Sequence, residues 1–398
     1  MLSQQTRETV KATVPVLVEH GETITTHFYK TLFADYPDLK NIFNAKNQAQ
    51  GQQPRALAHA VLAAAQNIDD WSVLQGTVEL VAHKHRSLQV KPEHYPIVGE
   101  YLLRAIKDVL GDAATDDIIT AWGETYGALA QVFIDAEKAL YEETEQQQGG
   151  WEGFQPFLVS KIIRESEEVT TFEVDPIHTN TVASFTPGQY ITVRVKAEEG
   201  GYWANRHYSL TSLSGDSSYR FSVKKEQKGD VSQYLHDNVK VGDKIELSAP
   251  AGTFAIDMES NEPIVFIGGG VGATPLFAML QAIKLHDPNH SVTWIQTARS
   301  LQVMAFKGQV ESLVAEMPNA NAVFGISDAT TPMDESVSFT GHITKELLER
   351  FLPEGEFNVA LCGPVAMIGH VSQLLGEIGV PESRIFTEQF GPMEPIGV

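Results

Sequence analysis

Several residue groups in this chain have the types and spacing to do chemistry. His83 and His85 sit one residue apart in ELVAHKHRSL. Glycines crowd IGGGVGATP, residues 267–275, and return in LCGP, residues 361–364. RHYSL, residues 206–210, holds an arginine, two ring side chains and a hydroxyl. An imidazole can ligate a metal or transfer a proton. A glycine turn between strand and helix lets a phosphate approach free backbone N–H groups. Arginine suits a pyrophosphate, and aromatic faces suit a planar ring.

The elements that must position these groups change character along the chain. Residues 1–146 carry helical periodicity, as in TITTHFYKTLF, where Ile24, Phe28, Leu32 and Phe33 recur at helical spacing. Asp35, Pro37, Pro54 and Pro92 punctuate this region. A polar, glycine-ended stretch at 147–153 reads as a linker. Over 154–258 short alternating strands such as VTTFEVD and GQYITVRVK predict an antiparallel β-barrel or sandwich, with Tyr190, Thr192 and Arg194 on one face and Ile191, Val193 and Val195 on the other. Over 259–398 apolar strands alternate with helices, the pattern of a parallel α/β sheet with crossover helices. The expected fold is therefore multidomain: an all-α domain, an antiparallel β-barrel and an α/β parallel-sheet domain.

Composition narrows the partners. A formal net charge of -22 argues against nucleic acid and anionic membrane surfaces as main partners. One cysteine, Cys362, allows no intrachain disulfide and suits a reducing compartment. The N-terminus lacks the pattern of a signal peptide, and no stretch has the length of a membrane span, so a cytoplasmic location is expected.

Helical periodicity separates the two histidines. His85 shares a face with Val78, Val81 and Leu88, whereas His83 lies with Glu79 and Arg86. His85 is thus expected to point inward and His83 to water. A buried imidazole in a helical domain is either a satisfied core histidine or an axial haem ligand. In the α/β region, Gly268, Gly269, Gly270, Val271, Gly272, Ala273, Thr274 and Pro275 follow a strand and open a helix, as a dinucleotide turn does, and Cys362, Gly363 and Pro364 would line the same crevice. A plain strand-to-helix turn, and a small buried residue at 362, are the alternatives. No acidic residue stands where a ribose 2′-hydroxyl is usually held. Arg299 lies there, able to accept a 2′-phosphate or simply solvated, so both NADH and NADPH remain open.

From residue 154 onward the chain resembles the ferredoxin–NADP reductase family. The resemblance rests on Arg206-His207-Tyr208-Ser209, on Gly270 to Pro275 and on Cys362-Gly363-Pro364, in that order. It implies FAD in the barrel and a nicotinamide nucleotide in the α/β domain. It adds Tyr190 of PGQY, Val231 and Ser232 of VSQYLH facing the flavin pyrophosphate, and Glu388, Gln389, Phe390, Gly391 and Pro392, with Phe390 covering the flavin. The first region resembles the globin family, with Tyr29 on an aromatic helix, Phe43 packing on haem, Gln53 as the distal polar residue and Leu57 on the same helix face.

Together the two regions resemble flavohaemoglobin over essentially the whole chain. That resemblance implies haem b held by His85, with Tyr95 and Glu137 hydrogen-bonded behind it, and Lys84 beside the ligand facing the flavin region. It implies nitric oxide dioxygenase activity: NAD(P)H reduces FAD, FAD reduces haem, and O2 held there converts NO to nitrate. NO and O2 are then the small-molecule partners, with no stable membrane insertion and a monomer expected. Ordinary helical core for Tyr29, Phe43 and Leu57 is the competing view. An O2 or NO sensor or store, kept reduced by its own reductase, is the competing function, although no output segment is present. A reductase serving a protein or quinone acceptor would not need the polar pair Tyr29 and Gln53.

Overall fold

The computed structural model describes residues 2–43, 51–179, 181–197, 201–328 and 335–391. Pro392, expected at the flavin, lies outside the described residues. The described chain divides into two units. One comprises residues in 1–154 and 194–206 together with Gly391, and the other residues in 155–193 and 207–390.

The first unit is mainly helical. Helices α1 (Gln4–Ala12), α2 (Val14–Asp35), α3 (Gln52–Gln66), α4 (Gln75–Leu88), α5 (His94–Leu110) and α6 (Asp116–Gln146) surround a core of Ile24, Phe28, Leu32, Leu102, Ile106 and Trp122. The predicted spacing on α2 delivers Ile24, Phe28 and Leu32 to that core, while Phe33 packs at its margin. The Thr115 hydroxyl caps α6, and Asp116 and Asp117 complement its N-terminal dipole. Helix α4 stops at Gln89, whose left-handed φ of 63° returns the Val90 N–H to the His85 carbonyl at 2.9 Å. Helices α5 and α6 approach closely at Gly99, where an added Cβ would lie 2.5 Å from the Tyr126 ring.

Strands β1 (Phe154–Arg164), β2 (Val169–Pro176), β3 (Tyr190–Val195), β4 (Ala204–Ser209), β5 (Tyr219–Lys224) and β6 (Lys244–Ser248), most of whose residues belong to the second unit, form a sheet ordered β4-β3-β6-β1-β2-β5. β1 and β5 each pair antiparallel with β2. The two ends of the sheet meet where Leu210 bridges Phe221 and the Thr211 N–H donates to the Arg220 carbonyl at 2.7 Å, so the sheet closes on itself. The alternation of facing on β3 is not an alternation of burial. Tyr190, Ile191, Thr192, Val193 and Val195 are all buried, because both faces of this strand are covered.

A parallel sheet follows, built from β7 (Ile264–Gly269), β8 (Val292–Ala298), β9 (Ala320–Ile326), β10 (Phe339–Thr340), β11 (Asn358–Gly363) and β12 (Ile385–Gln389), in the order β10-β9-β8-β7-β11-β12. Helices α8 (Ala273–His286), α9 (Lys307–Ala315), α10 (Lys345–Phe351) and α11 (Val365–Ile378) connect it. Phe266, Trp294 and Phe324 enter one core; Val265, Ile267, Ile295, Val323 and Leu361 enter another. Burial on both faces explains the uninterrupted apolar run of β7. The chain runs from β7 out to β10 and returns on the other side as β11, so the strand order reverses between β7 and β11. A crevice at the C-terminal strand ends belongs at that reversal.

Gly99→Ala is expected to destabilise the fold by about 1–3 kcal/mol, because the Tyr126 ring must leave its place. A urea unfolding midpoint equal to that of the parent chain would contradict this.

Candidate functional site

His85, Tyr95 and Glu137 meet although they come from three helices. The His85 Nδ1 lies 2.7 Å from Glu137 Oε1 and 3.1 Å from the Tyr95 hydroxyl, which itself donates a short hydrogen bond to Glu137 Oε1. Glu137 is only 2% exposed. An ionised carboxylate only accepts, so Nδ1 carries the proton and Nε2 keeps a lone pair, the form that binds a metal. Burial, with the negative Glu137 beside it, pushes the Tyr95 phenol far above its ordinary value and keeps it a donor. Sequence reasoning missed the groups that brace this cluster. The Tyr126 hydroxyl donates to the Tyr95 carbonyl at 2.7 Å, Tyr141 to the Val90 carbonyl at 2.9 Å, and the Phe133 ring lies 6.0 Å from that of His85. Local patterning carries no signal for such long-range contacts.

The expected separation of the two histidines into an inner and an outer face fails. His85 is 32% exposed in its side chain, not fully interior. His83 is half-buried, and Arg86, assigned to the wet face, is 4% exposed. Burial, helped by the Arg86 charge, lowers the His83 pKa to about 4. Helix α4 is covered on more than one side, chiefly by α6, so a single apolar stripe does not describe it.

Tyr29, Phe43 and Leu57 share one hydrophobic cluster. The ring centroids of Tyr29 and Phe43 are 5.7 Å apart and those of Phe33 and Phe43 5.2 Å. Gln53 opens α3 beside Pro54, whose carbonyl accepts from Thr25, one turn before Tyr29, at 2.8 Å. The Gln53 Oε1 is buried and has no hydrogen-bond partner among the described residues. No group of three or more histidine, cysteine or acidic residues suited to a metal occurs among the described residues. A lone available imidazole nitrogen suits iron whose other ligands come from a macrocycle. With an apolar aromatic lining and an unsatisfied polar atom at Gln53, these residues fit a haem. Lys84 Nζ donates to the Gly391 carbonyl at 3.3 Å.

In the closed sheet, the rings of Tyr190 and His207 lie 4.7 Å apart, and the Thr192 hydroxyl is 2.9 Å from His207 Nδ1. Tyr208 stacks on Phe221 at 5.6 Å, and Ser209 is buried. Arg206 donates to the adjoining Asn205 carbonyl at 2.7 Å. Val231 and Ser232 open helix α7 (Asp230–Asp237) with buried side chains. The Ser232 hydroxyl donates to the Gly229 carbonyl and accepts from the Glu226 N–H, both at 3.1 Å, so what this helix start offers a phosphate is backbone N–H. The aromatic residues, the arginine and this helix start have the chemistry FAD requires.

At the parallel sheet, the glycine turn and LCGP come together. Cys362 is in register with Gly268, and Glu388 and Gln389 continue the rim on β12. An added Cβ at Gly272 would sit 2.3 Å from the Cys362 carbonyl, and one at Gly269 would sit 2.3 Å from Met367 Sδ. These glycines let the two turns close on each other. Ala273, Thr274 and Pro275 begin α8 and are buried; the Thr274 hydroxyl donates to the Val271 carbonyl at 2.8 Å. Phe390 ends this rim and is exposed. Cys362 is fully buried, and burial together with Glu388 raises its thiol well above the ordinary range, which makes it packing and not a nucleophile. Arg299, just past β8, is ion-paired with Glu168.

A helical domain with one poised imidazole, joined to flavin and nucleotide modules, defines a globin–reductase oxidoreductase. Family models match accordingly: Globin over residues 26–133, Oxidoreductase FAD-binding domain over 156–256 and Oxidoreductase NAD-binding domain over 266–373. The chain is 43% identical to a flavohemoprotein of Oceanobacillus iheyensis, covering 100% of this chain and 98% of the relative. It is 45% identical to one from Bacillus cereus, covering 98% and 99%. Among solved structures, the flavohemoglobin of Malassezia yamatoensis with bound FAD and heme matches with a TM-score of 0.87 at 28% identity, covering 98% of this chain and 100% of that one. The FAD/NAD-binding domain of nitric oxide dioxygenase from Vibrio cholerae matches with a TM-score of 0.56 at 35% identity, covering 60% and 99%. The chain belongs to the flavohemoprotein family.

Gly272→Ala is expected to raise the dissociation constant for NADH by about tenfold or more, since the turn must open by the width of a methyl group. The readout is nucleotide titration of the FAD-loaded protein; unchanged affinity would refute the role assigned to this close approach.

Proposed function

We propose that this oxidoreductase is a nitric oxide dioxygenase that uses NADH or NADPH, FAD and haem b to turn NO and O2 into nitrate. The observation that carries the reading is the His85–Glu137–Tyr95 group in a chain that also holds flavin and nucleotide modules. When bound, haem would supply O2 activation, and the nicotinamide and FAD would supply a hydride's electron pair as single electrons.

The protein's residues take distinct roles in this reading. Glu137 draws the Nδ1 proton of His85 and makes Nε2 a stronger electron donor to iron. Tyr95 holds the carboxylate in place. The Tyr29 hydroxyl would be a donor for an oxygen ligand that carries negative charge, with Gln53 as a second polar group. Phe43 and Leu57 keep water out, and Lys84 lies beside the ligand histidine. Tyr190, Arg206, His207, Tyr208, Ser209, Phe390 and the Val231–Ser232 helix start hold FAD. Gly268 to Pro275 and Cys362 to Pro364 hold the nucleotide, with Glu388 and Gln389 beside them. The working boundaries are 1–146 for the globin, 147–153 for the linker, 154–258 for the flavin domain and 259–398 for the nucleotide domain.

NO consumption by the haem- and FAD-loaded protein, with NADH in air-saturated buffer and nitrate assayed at the end, tests this function. Rapid O2-dependent loss of NO with matching nitrate is expected. Slow loss by a protein that still binds O2 would point to a sensor or store instead.

Tyr29→Phe removes a donor to a charged oxygen, an interaction of about 1.5–3 kcal/mol, and should speed O2 dissociation accordingly. An unaltered dissociation rate would remove Tyr29 from the site. His85→Ala should abolish haem ligation yet leave NADH-driven reduction of an artificial flavin acceptor intact; loss of both would show that the modules are not independent.

A further inference from the structure

We infer that Glu168 supplies the ribose-reading carboxylate missing from the end of β8, and that it sets a preference for NADH over NADPH. In dinucleotide-binding sheets an acidic group near the end of the second strand accepts from the ribose 2′-hydroxyl, whereas an arginine there accommodates a 2′-phosphate. Here the residue after β8 is Arg299. Thr297, two residues earlier, is in register with Gly269 of the glycine turn, so Arg299 lies one strand over from the pyrophosphate position. The acidic group arrives from elsewhere in the chain. Glu168, in the turn between β1 and β2, is ion-paired with Arg299 across 131 residues of sequence.

The turn is held firmly at this place. Val169 is buried in the same core as Ala298 and Met304. The Glu167 N–H donates to the Gln302 carbonyl at 2.9 Å, and Gln309 Nε2 donates to Glu165 Oε2 at 2.5 Å. The Ser166 hydroxyl accepts from the N–H groups of Glu168 at 3.3 Å and Val169 at 3.1 Å. Glu168 is therefore a placed carboxylate and not a wandering surface chain. It neutralises Arg299, the arginine placed for a 2′-phosphate. Glu165 and Glu167 add negative charge to the same turn. A phosphate dianion arriving there meets like charge and must separate Arg299 from its partner, whereas a ribose hydroxyl meets an acceptor.

This inference rests on the flavin and nucleotide modules and not on the dioxygenase reading. Its test is kcat/KM for NADH and NADPH in the full haem- and FAD-loaded chain, with ferricyanide as electron acceptor and no NO present. Competition by 5′-AMP and by its 2′-phosphorylated form provides a binding readout. The parent chain should prefer NADH. Glu168→Gln should raise kcat/KM for NADPH about tenfold and lower that for NADH about threefold, with tighter binding of the 2′-phosphorylated competitor. Adding Arg299→Ala to Glu168→Gln should remove the NADPH gain. An NADPH-preferring parent, an unchanged ratio in Glu168→Gln, or a gain that survives Arg299→Ala would each overturn the assignment. FAD content and the unfolding midpoint identify any variant that merely misfolds.

Discussion

The helical unit depends on one buried carboxylate. Glu137 can remain in its site only because His85 and Tyr95 both donate to it. Each donor must come from a different helix, so three backbone placements are tied to one oxygen. The left-handed turn at Gln89 ends α4 close behind His85. The close packing at Gly99, and the Tyr126 hydroxyl on the Tyr95 carbonyl, set the start of α5 against α6. The same hydrogen bonds decide the imidazole tautomer. Glu137 Oε2 has no partner among the described residues, so Oε1 alone links packing, the hydrogen bonding of a buried carboxylate and the electronic state of a metal ligand.

The nucleotide rim follows a different logic, based on the absence of side chains. The glycine turn after β7 and the turn after β11 approach at van der Waals distance, and Gly269, Gly272 and Gly363 leave the space for it. Reversal of strand order between β7 and β11 opens the crevice, and the glycines keep its floor bare. Cys362 sits beneath it as buried packing, consistent with its raised thiol pKa.

Much of this was legible in the chain, for identifiable reasons. The run IVFIGGG reads as a doubly buried strand because β7 sends alternate residues into two cores. Ile24, Phe28 and Leu32 keep helical spacing because α2 presents one face to a single core. The single-stripe argument broke down on α4, where Arg86 is buried and His83 and His85 are both half-covered. Periodicity describes one contact surface, and α4 has more than one. The partnership of Tyr95 and Glu137 spans 42 residues and emerged from family likeness, not from local pattern. The pairing of Glu168 with Arg299 had no sequence signal at all, because a turn of one sheet reaches a strand end of another.

The closed antiparallel sheet has a consequence beyond holding a flavin. Its outer strands meet through Leu210 and Phe221 and through the Thr211–Arg220 hydrogen bond, which takes up part of the edge that a second chain would otherwise pair with. The parallel sheet stays open, but its outer strand β10 is only two residues long. Its other edge strand, β12, ends in the charged Glu388 and the polar Gln389. Neither margin gives a growing filament a long, flat template. A chain with two large sheets thereby limits strand-to-strand self-association through topology and edge length.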